Sequence, residues 1–273
     1  MSIIPNQTLA HLRAGEVALG FGVGLVRSVA IAQLARAAGY QWLAIDMEHS
    51  AVSISEAGEI CQAALSAGVT PVVRVKADAL HEGARALDNG AQGVLIPNVR
   101  HGAQAEKIVA SLRFAPQGRR SWGAGAASFA YAPPPVAQAL GEANRETLLA
   151  AMIEDREGLA NVDEIAAVTG IDVLFVGAFD LSIELGIPGQ FHEDAMWAAL
   201  GEVAAACRRH GKVMGLGGIY DDALTPRAIE LGCGFLAGGG DQAFMLSAAA
   251  ARAKTLAGYA ATAKAESPRP AAG

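Results

Sequence analysis

Short apolar runs alternate with longer segments of helical period along most of this chain. Each run is rich in Val, Ile and Leu, and the segment after it repeats apolar residues three or four positions apart. This alternation is typical of parallel strands that are joined by crossover helices. The predicted strands are residues 17–21, 42–46, 71–75, 93–96, 150–153, 173–176, 213–217 and 234–237. The predicted helices are residues 28–38, 55–66, 79–88, 102–111, 158–168, 194–209, 222–231 and 242–258.

Eight strand–helix repeats indicate a (β/α)8 TIM barrel rather than an open doubly wound sheet. We predict one barrel domain over residues 1–262, followed by a polar, proline-rich and disordered tail over residues 263–273. Residues 113–135 carry four prolines and no clean period. They therefore predict a long loop after the fourth strand, and loops of that length are usually functional.

The composition favours a protein that acts on small molecules. The chain has 273 residues, 52% of them hydrophobic and 18% charged, and its net charge is −6 without a run of Lys or Arg. We therefore expect no nucleic-acid partner and no membrane surface. The start of the chain lacks a secretion-signal pattern, no apolar stretch is long enough to span a membrane, and the three cysteines stand far apart. These features predict a cytoplasmic protein.

Polar residues stand where several of the predicted strands end. Asp46 and His49 close the second strand, and Arg74 lies within the third. Glu154 follows the fifth strand and Asp180 follows the sixth. Because the carboxyl ends of barrel strands surround one mouth, where the active sites of such barrels lie, we expect these side chains to converge.

Glu154 and Asp180 follow neighbouring strands, so their carboxylates would repel each other unless a cation lay nearby. Mg²⁺ and Mn²⁺ typically bind one or two protein carboxylates and keep positions for water and substrate oxygens. The pair therefore indicates a divalent metal site. The alternative is a set of structural ion pairs with Arg156 or Arg74.

Arg74 interrupts an apolar strand, where an unpaired guanidinium would be costly. It either binds a ligand at the mouth or neutralises Asp46 or Glu48. Asp46 is close enough along the chain to hold the His49 imidazole and raise its basicity. Of the six histidines, His49 is therefore the best candidate for proton transfer.

Three other places each allow two interpretations. Gly177 would let an anion approach the backbone amides at the next helix start. Residues 238–240 are three glycines that either hold a phosphate on backbone amides or form a tight turn. Asp88 precedes an Asn-Gly helix stop, and by itself it favours a cap or a surface acid over a catalytic group.

Five segments in a fixed order make the chain resemble the HpcH/HpaI family of class II pyruvate aldolases. This family includes hydroxy-ketoacid, dihydroxyheptenedioate and dehydro-deoxyglucarate aldolases. The segments are LAIDMEHS, PVVRV, LDNGAQGVLIPNV, MIEDREGLANVDEI and DVLFVGAFDLSIELG. No single segment would suffice, but the ordered set covers roughly residues 10–250.

The resemblance implies a role for each candidate at the mouth. Family members bind Mg²⁺, Mn²⁺ or Co²⁺ through a Glu and an Asp, here Glu154 and Asp180. Their Arg at the position of Arg74 binds the ketone or enolate oxygen of pyruvate. Their His acts in proton transfer with an Asp as its orienting partner, which implies His49 and Asp46.

The resemblance also implies a carboxylate subsite and an assembly. In the family, the pyruvate carboxylate contacts backbone N–H groups that correspond to Phe179 and Asp180. An acid at the position of Asp88 reaches the site, in some members from a neighbouring subunit. By this analogy we expect a homo-oligomer, and specifically a hexamer.

Three departures from the family concern the substrate. Met152 replaces a Gln that touches pyruvate in some relatives, and residues 126–131 lack an Arg found in several members that cleave dicarboxylates. Phe179 is bulkier than the usual residue at its position. These departures weigh against an acid semialdehyde as the aldehyde partner.

The predicted function is reversible retro-aldol cleavage of a 4-hydroxy-2-oxo acid to pyruvate and an aldehyde, through a metal-stabilised pyruvate enolate. One alternative is an acyl-CoA lyase of the citryl- or malyl-CoA type, for which only Arg119, Arg120 and scattered lysines offer a basic groove. Another is a barrel that binds a metal and an oxo acid without turnover. A third is a phosphate-sugar isomerase that uses the glycines at 238–240.

Overall fold

The structure is a computed structural model that describes residues 2–123 and 127–266. Eight parallel strands form a closed barrel in chain order, with the last strand paired to the first. The strands are β1 (Ala18–Val23), β2 (Trp42–Asp46), β3 (Thr70–Arg74), β4 (Gly93–Ile96), β5 (Leu148–Ile153), β6 (Val173–Gly177), β7 (Val213–Gly217) and β8 (Cys233–Gly240). The predicted (β/α)8 barrel is therefore confirmed.

Helices connect the strands and surround the barrel. Those of the described residues are α1 (Gln7–Arg13), α2 (Ala30–Ala37), α3 (Ile54–Ala67), α4 (Leu80–Asp88), α5 (Gly102–Leu112), α6 (Val136–Glu146), α7 (Arg156–Ala160), α8 (Val162–Ala167), α9 (Ala178–Glu184), α10 (Asp194–His210), α11 (Thr225–Leu231) and α12 (Asp241–Glu266). The helix predicted at 158–168 is divided into α7 and α8. The predicted helices did not include α1, α6 and α9.

The apolar residues form two layers, one inside the barrel and one between the strands and the helices. Inside, the rings of Trp42 and Phe235 stack with their centroids 3.9 Å apart. A Cβ at Gly20 would come within 2.1 Å of the Trp42 ring, so only glycine leaves room for this indole. Leu9 and Leu12 of α1 belong to the inner layer and close the amino-terminal end of the barrel. The site must therefore open at the other end.

Two predicted segments are only partly described. The loop predicted at 113–135 contains a 3-10 turn at Ala127–Phe129, and its residues 124–126 lie outside the described residues. The tail predicted at 263–273 lies outside them from residue 267 onward, and its first residues continue α12. In the described part of the chain, no helix is both long and apolar enough to cross a membrane.

Candidate active site

A cavity of about 670 Å³ opens where the strands end at their carboxyl termini. Its wall contains nine of the residues that the sequence singled out, namely Asp46, His49, Arg74, Met152, Gly177, Phe179, Asp180, Gly239 and Gly240. Glu154 lies directly behind this wall and is only 5% exposed. The five side chains that the sequence predicted to converge therefore lie at one mouth.

Arg74 is held by Asp46 through two parallel hydrogen bonds. Nε of Arg74 donates to Oδ1 of Asp46 over 2.9 Å, and Nη2 donates to Oδ2 over 2.8 Å. The two residues are register partners on β2 and β3, which brings their side chains together. Burial alone would raise the pKa of Asp46, but the hydrogen bonds and charge of Arg74 outweigh it and hold that pKa below its ordinary value. Within the chain, Arg74 therefore neutralises Asp46, as one of the two interpretations of Arg74 predicted.

The His49 imidazole has a different neighbour from the expected one. Oδ1 of Asp46 accepts hydrogen bonds from the backbone N–H groups of Glu48 and His49, not from the imidazole. The carboxylate near the imidazole is that of Glu48, with Oε2 3.6 Å from Nε2 of His49 and 3.5 Å from Nη1 of Arg74. The expected Asp46–imidazole contact is not formed, because Asp46 turns its carboxylate toward β3.

Glu154 is a buried acid whose two carboxylate oxygens have different neighbours. Its Oε1 accepts a hydrogen bond from the backbone N–H of Asn98 over 2.7 Å. Its Oε2 lies 2.6 Å from the position that a Cβ on Gly177 would occupy. Burial raises the pKa of Glu154 to about 7, and the negative charges of Asp180 and Glu48 add to this effect. Three carboxylates therefore act on one another in this part of the mouth.

Among the described residues, neither Glu154 nor Asp180 forms an ion pair with Arg156 or Arg74, which was the alternative to a metal site. Arg156 instead donates to the backbone carbonyl of Glu184, and the ion pairs of Arg74 are with Asp46 and Glu48. No group of three His, Cys, Asp or Glu side chains in residues 2–123 and 127–266 is placed to hold a metal ion. Any metal here would thus have at most two such protein ligands.

Asp88 does not reach the mouth of its own barrel. It ends α4, the helix that leads into β4, so it lies at the opposite end from the carboxyl termini of the strands. Its Oδ1 accepts a 2.6 Å hydrogen bond from Nη2 of Arg120. The Arg120 side chain is 5% exposed and lies over the Phe114 ring. Within one chain, Asp88 therefore serves as the partner of a buried guanidinium.

The glycines at 238–240 lead to a carboxylate rather than to an open anion site. Asp241, which follows them, accepts hydrogen bonds from the backbone N–H groups of Leu25 and Val26 over 2.9 and 2.6 Å. The N–H of Gly24 also points to this carboxylate, at 3.3 Å from both oxygens. Asp241 thus occupies the amides of the loop after β1 and ties that loop to the end of β8.

Two residues of this site were missed by the sequence argument, and Glu48 was named only as a possible partner of Arg74. The strand period of two places Glu48 on the same side as Asp46 and could have assigned it to the site. Asn98 contributes only its backbone N–H, with a φ of 55°, and its signal is the tolerance of Asn for that conformation. No local signal indicated that Asp241 would bind the loop after β1, because that contact joins opposite ends of the chain.

The profile of the family described as HpcH/HpaI aldolase/citrate lyase matches residues 25–245. The chain belongs to this family. A 4-hydroxy-4-methyl-2-oxoglutarate aldolase from Chaetomium globosum is 39% identical over 221 residues, which are 80% of this chain and 81% of that protein. A hydroxypyruvate/pyruvate aldolase from Pseudomonas aeruginosa is 36% identical over 90% of this chain and 91% of its own length.

The solved structures agree with the sequence relatives. The crystal structure of an HpcH/HpaI aldolase from Desulfitobacterium hafniense superposes with a TM-score of 0.86 at 31% identity. The match covers 91% of this chain and 95% of that one. The family expected from the five sequence segments is therefore confirmed, and the aldolase class of enzyme with it.

Proposed function

We propose that this HpcH/HpaI family member cleaves 4-hydroxy-2-oxo acids reversibly into pyruvate and an aldehyde. The observation that carries the proposal is the grouping of Glu154 and Asp180 with Arg74 and His49 around one cavity. These residues provide acidic ligands for a cation, a fixed positive charge and a proton carrier. A retro-aldol reaction at a 2-oxo acid needs these three functions.

The carboxylates fit a divalent cation on chemical grounds. Glu154 is buried, and the negative charges of Asp180 and Glu48 oppose its ionisation. The nearby Arg74 guanidinium is already paired with Asp46. Carboxylate oxygens suit Mg²⁺ or Mn²⁺, and two protein carboxylates with water and substrate would complete the coordination. We assign Glu154 and Asp180 as the protein ligands of Mg²⁺, Mn²⁺ or Co²⁺. Such a cation supplies positive charge to the 2-oxo and carboxylate oxygens of the substrate.

Arg74 binds the developing enolate in this proposal. Its position between Asp46 and the cavity keeps the guanidinium fixed before the reaction, so little reorganisation is needed when charge appears. The substrate carboxylate is assigned to the backbone N–H groups of Phe179 and Asp180. Both residues belong to the first turn of α9, where N–H groups have no acceptor within the helix.

His49 removes the proton of the 4-hydroxyl group, and the C3–C4 bond then breaks. The electron pair of that bond becomes the enolate of pyruvate, and the former C4 carbon leaves as the aldehyde. Protonation of the enolate at C3 gives pyruvate. The neighbouring Glu48 carboxylate, 3.6 Å from Nε2 of His49, favours the imidazolium that proton transfer produces.

The other candidate functions have less support. An acyl-CoA lyase would need exposed basic groups for the cofactor phosphates. Arg120 is buried against Asp88 and Phe114, and Arg119 is exposed but does not line the cavity. A phosphate-sugar isomerase would bind a phosphate at residues 238–240, directly beside the Asp241 carboxylate, which would repel it. A barrel that only binds a metal and an oxo acid would not require the proton carrier at His49.

We also propose that the enzyme is a homo-oligomer. From Gln242 to Thr262 every side chain of α12 is exposed, including the apolar Met245, Leu256 and Tyr259, which do not line the cavity. On the barrel wall, the outward-facing Leu19 of β1 is also exposed. Apolar surface of this extent commonly marks a protein interface, and family analogy suggests a hexamer.

Proton exchange at C3 of pyruvate tests the proposed function without any aldehyde. We expect NMR in D₂O to show exchange that a chelator abolishes and that Mg²⁺, Mn²⁺ or Co²⁺ restores. Glu154→Ala and Asp180→Ala should both lose it. Full exchange or full aldol turnover in metal-free buffer with EDTA would contradict the proposal.

A further inference from the structure

The mouth cavity has two chemically different halves. One half contains Asp46, His49, Arg74 and Asp180, which the proposed reaction uses. The other half is built by the ends of β7, β8 and β1 together with the first turns of α12. The side chains of this second half are mainly small or apolar, as in Val23, Ala237 and Ala243. A substrate held at the polar half would extend its remaining atoms across this second surface.

Three large apolar side chains form the edge of the cavity. Tyr220, Leu246 and Phe179 line it and are 54%, 67% and 52% exposed. The Phe179 ring is held edge-on against the Phe191 ring, with the centroids 5.0 Å apart. Exposed apolar groups gathered at the opening of a cavity commonly bind the apolar part of a ligand.

The charges of the cavity oppose a second carboxylate on the substrate. Arg74 is the only Lys or Arg among the described residues that line it, and Asp46 already pairs with that guanidinium. The charged residue of the second half is Asp241, whose carboxylate is held in place by backbone N–H groups. A carboxylate on the distal end of a substrate would therefore find no cation there and would be repelled by Asp241.

From these observations we infer that the aldehyde partner carries an uncharged, apolar substituent, either aromatic or aliphatic. The Tyr220–Leu246–Phe179 edge receives this substituent. The inference rests on the proposed aldolase function and adds the substrate class to it. By this inference, the substrate of this chain differs from those of relatives whose names specify a dicarboxylate, such as the 4-hydroxy-4-methyl-2-oxoglutarate aldolase.

A comparison of matched aldehydes tests the inference. Pyruvate is combined with benzaldehyde, hexanal or succinate semialdehyde in the presence of the activating cation, and kcat/KM is measured for each aldehyde. We expect the neutral aldehydes to exceed succinate semialdehyde by at least about tenfold. Equal or better use of succinate semialdehyde by the unmodified enzyme would overturn the inference.

A charge introduced at the edge provides a second test. Tyr220→Arg places a guanidinium beside the second half, so we expect the ratio of acidic to neutral aldehyde to rise by about tenfold or more. The matched control is Val136→Arg on α6, an exposed apolar residue that does not line the cavity. It should leave the ratio unchanged. An unchanged ratio in Tyr220→Arg would overturn the assignment of the substituent to this edge.

Pyruvate C3 exchange separates the two ways in which the scheme can fail. Exchange by an enzyme that converts none of the neutral aldehydes would leave the proposed function intact and overturn the substrate class. Absence of exchange together with absence of turnover would refute the aldolase function, and the inference with it.

Discussion

The Arg74 guanidinium and the Asp46 carboxylate meet in a forked pair, Nε to Oδ1 at 2.9 Å and Nη2 to Oδ2 at 2.8 Å. The pair spans two adjacent strands at the mouth of the barrel. Its geometry uses two donors of a planar group, which an ammonium on a flexible chain cannot reproduce. The orientation of Arg74 toward the cavity therefore depends on Asp46.

Arg74→Lys should lower both aldol turnover and pyruvate C3 exchange by about ten- to a hundredfold, because the charge remains but its preorganised direction is lost. The effect is measured as kcat for cleavage and as the exchange rate under saturating pyruvate. Arg85→Lys on α4 is the matched control, since Arg85 is exposed and does not line the cavity. An unaltered exchange rate in Arg74→Lys would contradict the proposal that Arg74 binds the enolate.

Gly177→Ala should strongly reduce activity although it adds only one methyl group. The new Cβ would lie 2.6 Å from Oε2 of Glu154 and 3.1 Å from Cε of Met152, so the buried carboxylate must move. Gly201→Ala on α10 is the control, because no atom lies within 4 Å of its Cβ position. We expect Gly201→Ala to keep full activity and to be slightly more stable, since Ala favours a helix. Normal cation-dependent turnover in Gly177→Ala would contradict the assigned position of Glu154.

Without a bound cation, Glu154 should make the stability of the protein fall as the pH rises. Burial raises its pKa from 4.5 to about 7 in the folded state, so between these values the folded protein holds a proton that the unfolded chain has lost. The free energy of unfolding therefore decreases through this window, by up to about 3 kcal/mol above pH 7. Glu154→Gln cannot ionise and should lack this decrease.

Urea unfolding at pH 5 and pH 8 in EDTA measures the effect of Glu154. The stability of Glu154→Gln relative to the unmodified protein should increase between the two pH values. Addition of Mg²⁺ or Mn²⁺ at pH 8 should then stabilise the unmodified protein and not the variant. If the free energies of unfolding of Glu154→Gln and the unmodified protein differed by the same amount at both pH values, Glu154 would already be ionised at pH 5 in the folded state.

Asp88 acts at the site only if another subunit brings it there, because in its own chain it lies at the far end of the barrel. We expect Asp88→Asn to lose activity while keeping the hydrogen bond with Arg120. An equal mixture with His49→Ala, under conditions that exchange subunits, should restore about a quarter of the normal activity. A shared site takes His49 from one chain and Asp88 from its neighbour, and about one site in four would then have both residues. Normal activity of Asp88→Asn alone would exclude a catalytic role, and no restoration would exclude a shared site.

The repeating pattern of the chain was sufficient to predict the barrel and its eight strands. Most strands are continuous apolar runs because the barrel interior covers one face and the helices cover the other. Polar residues end β3 or follow β2, β5 and β6 at the same end of the barrel. Asp46, His49, Arg74 and Asp180 could therefore be assigned to one mouth from local sequence alone. The helices α1, α6 and α9 were not found from the pattern.

The tertiary structure decided which of these groups contact one another. The sequence allowed Asp46 to hold His49, but the register of β2 against β3 directs it to Arg74 and leaves Glu48 beside the imidazole. The contact between Asp241 and the loop after β1 joins residues more than two hundred positions apart. Such pairings depend on side-chain direction and on closure of the barrel. A one-dimensional pattern records which strand end a polar group occupies, and only the folded chain determines what it faces.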